Sequence, residues 1–288
     1  MTLSNKIDFA VVFSVRNANP NGDPLNGNRP RINYDGLGEV SDVCIKRKIR
    51  NRLMEMGIPI FVQSDDSKVD NHTSLRSRAD EKLPKEASAD EKAMLACKTW
   101  FDVRAFGQVF AFKAASGSKA KEKRGEDGQD DKGVSIGIRG PVSIHSAFSL
   151  SPVSVSSIQI TKSVSGEGDG KTRGSDTMGM KHRVDQGVYA FFGSMNPQLA
   201  QKTSFTDADA QVIKKVLPRL FENDASSARP EGSMEVLKVV WWQHNCPNGQ
   251  TSSAKVHRSL KVSAKDDLTV AISFDDIDGP APEVTEGN

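Results

Sequence analysis

Cysteine is scarce in this chain: Cys44, Cys97 and Cys246 are the only three in 288 residues, with no CxxC pair among them. An odd, scattered set supports neither a disulfide scaffold nor a zinc ribbon, and a reducing cytoplasm is expected. Long apolar runs are missing too. Nothing approaches the roughly 18 residues a membrane span needs, and the first residues lack the charged-then-apolar pattern of an export signal, so a soluble chain with no membrane partner is expected. Familiar catalytic spacings are also absent. The five histidines, His72, His145, His182, His244 and His257, form no HxxxH or HExxH pair, and there is no GxSxG elbow or GxxxxGK[ST] loop. The stretch "GEGDGKTRG" at 166–174 lacks the spacing of a phosphate loop and reads better as a hairpin tip. No metal, cofactor or catalytic residue is expected. Apolar residues make up only 36% and aromatic residues 6% of the chain, which suggests long polar segments on a compact body. The length allows one large domain with insertions or two small ones.

Charge is unevenly placed. Residues 266–288 carry seven carboxylates and no Lys or Arg, so the preceding residues hold +9 against +2 for the whole chain. A basic body attracts phosphate, although such an excess is equally compatible with a solvated surface.

Ile7, Phe9, Val11, Phe13 and Val15 alternate with Asp8, Ala10, Val12, Ser14 and Arg16, the period of a strand with one face on a core. The loop "NANPNGDPLNGNRPR" at 17–31 follows, with five Asn, three Pro, two Gly and two Arg. Asn and Gly accept positive φ and Pro fixes its own, so the composition fits an irregular connection. It also offers amides, backbone N–H groups, Arg29 and Arg31 to phosphate or sugar; Asp23 is a third option as a lone metal carboxylate. Next, "SDVCIKRKIRNRLMEMG" predicts a helix over 41–56, capped by Ser41 or Asp42 and stopped at Gly57. Ile45, Ile49, Leu53 and Met56 form its buried stripe, with Lys46, Arg47 and Arg50 on one flank and Lys48 and Arg52 on the other.

A helical insertion is expected over 64–100, running into a short strand around 101–104. Residues 113–133 hold six basic and five acidic residues with almost nothing apolar, which predicts a mobile loop. Val142, Ile144, Phe148 and Leu150 share one parity, as in a long strand or bent pair. Strand-like flanks around a glycine-rich middle predict a protruding hairpin over 158–187. A helix over 206–222 breaks near Pro218, two more strands follow ("MEVLKVVWWQ" and "LTVAISF"), and 275–288 is left as an acidic tail. This order, close to β, α, β, β, α, β, predicts an α+β fold: one antiparallel sheet with helices on one face, ferredoxin-like or RRM-like, and the other face free for single-stranded RNA. "FDVRAFG" and "GIRGP" place Arg104 and Arg139 beside glycines, where a nucleotide chain could approach closely.

Together, the first strand with "NPNGDPLNGNRPR", "SDVCIKRKIRNRL", "FDVRAFG", "GIRGPVSIHSAFSLSPV" and "MKHRVDQGVYAFFGSMNP" resemble the backbone subunit of type I-C CRISPR Cascade surveillance complexes, over most of residues 5–245. The resemblance implies a non-catalytic, hand-like protein, a single modified RRM-like palm with insertions and a thumb-like hairpin. Several copies would assemble along one crRNA, interrupt its pairing with target DNA at intervals, and meet capping, large and small Cascade subunits. A filament that accepts any guide should hold phosphate and ribose and leave base edges free. The RNA-binding set expected on that basis is Asn19, Asn21, Arg29, Arg31, Lys46, Arg47, Arg50, Arg104, Arg139, Lys162, Lys181 and Arg183. Met178 and Met180 are the expected wedge between bases. Two alternatives stand beside this reading: a metal-dependent RNA-cleaving relative using Asp23, and a monomeric RRM-type RNA adaptor.

Overall fold

The computed structural model of the chain describes residues 1–111, 135–161 and 178–288. The loop expected at 113–133, the glycine-rich tip of the hairpin and Lys162 lie outside the described residues.

The first strand, β1 (Ile7–Ala18), leads into two short strands in the opening loop, β2 (Gly22–Asp23) and β3 (Arg29–Pro30), and then into β4 (Leu37–Val40). Helix α1 (Asp42–Glu55) starts where the Ser41 hydroxyl accepts from Cys44 N–H, and it ends before Gly57, whose φ of 74° is costly for any other residue. Three further helices follow: α2 (Leu75–Lys82), α3 (Ala89–Thr99) and α4 (Phe101–Phe106), and then the hairpin β5 (Gly107–Ala111) and β6 (Ser135–Arg139). After them come β7 (Val142–Ile144), β8 (Ala147–Pro152), β9 (Val155–Thr161) and the long β10 (Met178–Met195). The last third contains α5 (Pro197–Thr203), α6 (Asp207–Val216), β11 (Met234–Gln243), α7 (Ser253–Ser259), β12 (Leu260–Ala264), β13 (Val270–Phe274) and β14 (Pro282–Glu286).

One antiparallel sheet organises the body in the order β14-β11-β1-β10-β8-β4, with β7 and β9 also paired to β10. Its register sets Phe13 against Tyr189 and Phe9 against Trp241. Both pairs stack, with ring centroids 5.3 and 5.8 Å apart. The odd-numbered side chains of β1 pack under α1 and α6 in the main core, with Ile45, Ile49, Leu53, Ile213 and Val216. A second core under the helical insertion gathers Phe61, Trp100, Val103, Phe110 and Ile136.

Several expectations are corrected. Strand β1 is buried on both faces from Ile7 to Val15, not on one. The far sheet face is closed by α7 and the β12–β13 hairpin, which cover Ala10, Val240 and Trp242 with Val256 and Leu260, so it is not free to meet RNA. Residues 101–104 are helical because Trp100 and Gly107 bracket a single short helix, α4; a six-residue apolar stretch does not reveal its period. Met56 is half exposed beyond the end of α1, and Met54 and Lys48 join the buried face instead. His145 and Ser146 interrupt β7 and β8, and the break shifts the parity. Val142 and Ile144 are buried, and beyond the break Ala147 and Ser149 point inward while Phe148 and Leu150 reach the surface. Within the acidic stretch 275–288, β14 lies on β11 with Glu283 paired to Lys214 and Glu286 to Lys238.

Candidate nucleic-acid interface

The opening loop is held by its own amides. Asn19 is buried and donates to the Asn28 carbonyl at 2.7 Å. Asn21 Oδ1 accepts from both the backbone N–H and the hydroxyl of Ser41 at 2.9 Å, tying the loop to the first turn of α1. Asn17, Gly27 and Asn28 take positive φ, as this composition allows. Asp23 accepts from Leu25 N–H and pairs with Arg31 at 3.3 Å. These contacts give Asn19, Asn21 and Asp23 a role in shaping the loop. Arg29 pairs with Asp23 through the backbone of the β2–β3 hairpin and is exposed.

The cations of α1 separate into held and open groups. Arg50 donates to Asp102 at 2.8 Å, and the same buried carboxylate accepts from the N–H groups of Phe61 and Val62. The pair therefore fastens the helical insertion to α1. Lys48, 4% exposed, pairs with Asp224. Burial lowers its pKa and Asp224 opposes that shift. Lys46 pairs with Asp42 one turn earlier at 3.0 Å. Arg47 is more than half exposed and pairs with Asp66 on the facing loop at 3.1 Å. The Ser64 hydroxyl, followed by a backbone N–H and Arg47, holds the Asp66 carboxyl below its usual range.

Arg47 opens onto a cleft of about 420 Å³ whose walls come from four segments, one of them the loop after α1 with Asp66 and Ser67. The opening loop supplies Asn21, α1 supplies Arg47, Lys48 and Asn51, and the turn after α6 supplies Asn223, Asp224 and Arg229. Arg229 pairs with Asp224 at 3.0 Å and keeps part of its side chain exposed. Arg31 reaches the same wall through its backbone, donating to the Asn21 carbonyl at 3.1 Å. Sequence reasoning missed Asn51, Lys48 and Arg229. Asn51 and Lys48 are legible only as members of a helix, and Arg229 stands in a polar turn with no motif around it.

Arg104 and Arg139 do not join this cleft. Arg104 forms two hydrogen bonds to Asp209, at 2.8 and 3.2 Å, and stacks over Phe101, clamping α4 to the start of α6. Arg139 is exposed at the end of β6. The glycines beside these arginines serve the fold. Gly107 pairs with Arg139; a Cβ on Gly107 would collide with the backbone of Ile138 and Gly140, and one on Gly140 with that of Ala105, Phe106 and Gly107, so the close approach is between two segments of this chain.

The remaining expected residues lie on a two-stranded ribbon, β9 with residues 178–184 of β10. Side chains directly opposite share a face. Met178 and Met180 therefore lie with Gln159 and Thr161, whereas Lys181 and Arg183 lie with Ile158 and Ser156. Met178, Met180, Ile158 and Ile160 are all exposed. Arg183 approaches Asp185 at 4.0 Å.

A buried titratable cluster lies elsewhere, around Asp8 on the closed sheet face. His244 Nε2 lies 2.9 Å from Asp8 Oδ2, and Gln250 N–H donates to Nδ1, which leaves Nε2 to carry the proton toward the carboxylate. His257 Nε2 sits 3.4 Å from Oδ1 and 3.2 Å from the Gly193 carbonyl. Burial pushes the Asp8 pKa up, but the donors His257, Ser253 and His244 and the charge of Lys6 outweigh it and bring it to about 2. The cluster fastens α7 and the chain after β11 to β1. Among the described residues no group of three His, Cys, Asp or Glu side chains is arranged to hold a metal ion.

A family model described as CRISPR-associated protein Cas7 matches residues 5–279. The CRISPR-associated protein Cas7 of Haloferax volcanii is 28% identical over 246 residues, covering 83% of this chain and 71% of the relative. Two solved structures, a "CRISPR RNA-guided surveillance complex, pre-nicking" and a "CRISPR RNA-guided surveillance complex", each contain a similar chain with a TM-score of 0.43 and 14% identity. Each likeness covers 82% of this chain, with 77% and 68% of the other chain.

Proposed function

The chain belongs to the CRISPR-associated protein Cas7 family, and from that premise we propose that it is a guide-RNA-binding backbone subunit of a CRISPR surveillance complex with no catalytic step of its own. The observation that carries this reading is the convergence on one cleft of the opening loop, which Asn21 ties to α1, with Arg47 and Asn51 of α1 and Arg229 of the turn after α6. Amide and guanidinium groups in such a trough suit phosphate and ribose and do not distinguish bases. The sheet order β11, β1, β10, β8 supports a modified ferredoxin-like or RRM-like palm. Because α7 and the β12–β13 hairpin close the far face of that palm, the RNA runs along the α1 side.

In this reading Arg29, Arg31, Lys46, Arg47 and Arg229 hold the RNA backbone, with Arg139, Lys162, Lys181 and Arg183 as further contacts. Arg50, Arg104, Asn19 and Asn21 position the elements that carry them. Copies of the chain line up along one crRNA. The ribbon acts as a thumb whose Met178 or Met180 separates bases, so that the guide pairs with target DNA in segments. Capping, large and small subunits complete the complex, and the type I-C assignment rests on the sequence motifs alone.

The test is the double variant Arg29→Glu, Arg47→Glu, titrated with two RNAs of unrelated sequence. Affinity should fall equally for both, and the salt dependence should flatten by about 0.7 for each phosphate no longer neutralised. A weakening confined to one sequence contradicts the reading. RNA incubated with the protein and a divalent metal should stay intact; cleavage that disappears in Asp23→Ala would make the chain a nuclease.

A further inference from the structure

The chain has two tyrosines with opposite settings. Tyr189 is buried in the main core against Phe13. Tyr34 is fully exposed. It does not hang from a loose loop. Asn33 Oδ1 accepts from Asp35 N–H at 3.0 Å and from Leu37 N–H at 2.9 Å, and Asn33 N–H donates to the Leu37 carbonyl at 2.9 Å. Gly36 takes a φ of 77° against Pro152, and its carbonyl accepts from Val153 N–H at 3.1 Å. The turn is thus pinned from within and fastened to the foot of the ribbon, with the ring displayed at its tip.

An exposed aromatic ring on a pinned turn offers a flat face to any base. Its surroundings favour RNA. Arg31, three residues earlier and so within about 11 Å along the chain, touches the cleft wall at Asn21. Arg29, two residues before Arg31, is exposed. Asp35, next to the ring, repels phosphate, so the ring meets the base side of a strand whose backbone follows the arginines. Stacking leaves the hydrogen-bonding edges of the base untouched, as sequence-independent binding requires.

We propose that Tyr34, on the turn between the opening loop and the foot of the ribbon, is a stacking platform for one unpaired base of the bound RNA. This rests on the function proposed above. The test compares wild type, Tyr34→Ala and Tyr34→Phe for binding to an oligoribonucleotide and to an abasic strand of the same length, with thermal unfolding of each variant as a control. Tyr34→Ala should bind the base-bearing RNA roughly tenfold more weakly, in line with the removal of one stacked base. It should bind the abasic strand like wild type, and Tyr34→Phe should match wild type on both. Unchanged affinity of Tyr34→Ala for base-bearing RNA, or equal weakening on both strands, would overturn the stacking role. Fewer copies per RNA at unchanged affinity would also overturn it, making Tyr34 a contact between copies. Failure of the wild type to bind either strand would remove the RNA-binding reading itself, a distinguishable result.

Discussion

The two halves of β10 belong to one strand and follow opposite rules. From Val188 to Met195 it lies between β1 and β7 or β8, and Tyr189, Phe191 and Met195 are buried in the main core. From Met178 to Arg183 it pairs only with β9, and apolar side chains are exposed on both faces of the ribbon. A two-stranded ribbon with no core beneath it is marginal in water. The near half is explained by folding. The far half is not explained by packing among the described residues, where Met178, Met180, Ile158 and Ile160 stay exposed; in the proposed function these are the groups a partner would meet.

That contrast can be broken most forcefully from the core side. Phe13→Ala removes a ring that stacks on Tyr189 and should cost about 3–5 kcal/mol, read as a large drop in the thermal midpoint. Asp224→Ala should come next. It leaves the buried ammonium of Lys48 without its carboxylate, at a cost of about 3 kcal/mol, and Lys48→Met in the same background should restore most of the midpoint. No recovery would mean that Asp224 acts through the turn it occupies and not through Lys48.

Acid should expose the closed face of the sheet. The Asp8 pKa is depressed to about 2, so its contribution is present above the unfolded carboxylate value of about 3.9 and is lost as pH falls through 2. The difference amounts to about 2 kcal/mol. Denaturant titrations between pH 5 and pH 2 should show Asp8→Asn less stable at the upper end and less sensitive to acid. A pH slope parallel to that of wild type would mean that Asp8 does not set the acid response. The smallest effect is expected on the ribbon. Met180→Ala should leave the stability of the free protein within about 0.5 kcal/mol while reducing RNA-dependent association of copies. A midpoint shift as large as that of Phe13→Ala would erase the contrast between the halves.

Much of the body is legible in the sequence because periodic segments report their own packing. The alternation of β1, the cap and stripe of α1, and the apolar runs of β11 and β13 all predict elements that form. What is not legible depends on distant chain. Nothing near β1 announces that α7, more than two hundred residues later, covers its second face. The arginines show the same limit. Arg47 and Arg50 look alike in "IKRKIRNRL", but Arg50 is held by the buried Asp102, whereas Arg47 meets the exposed Asp66 at the cleft. Arg104 faces Asp209 for the same kind of reason. The asparagines of the opening loop carry a polarity that suits a ligand, and two of them turn that polarity inward to Ser41 and Asn28. Arg229 carries no sequence signal and enters only because the turn after α6 folds against α1.

If the cleft beside α1 holds RNA without reading it while ribbons join successive copies, the stoichiometry on RNA must follow length and nothing else. Native mass measurement of the protein on RNAs of increasing length and unrelated sequence tests this directly. Protomers should be added one at a time as the RNA lengthens, at a constant nucleotide step that is the same for every sequence. A single protomer on RNAs of every length, or a loading that changes with sequence, would contradict it.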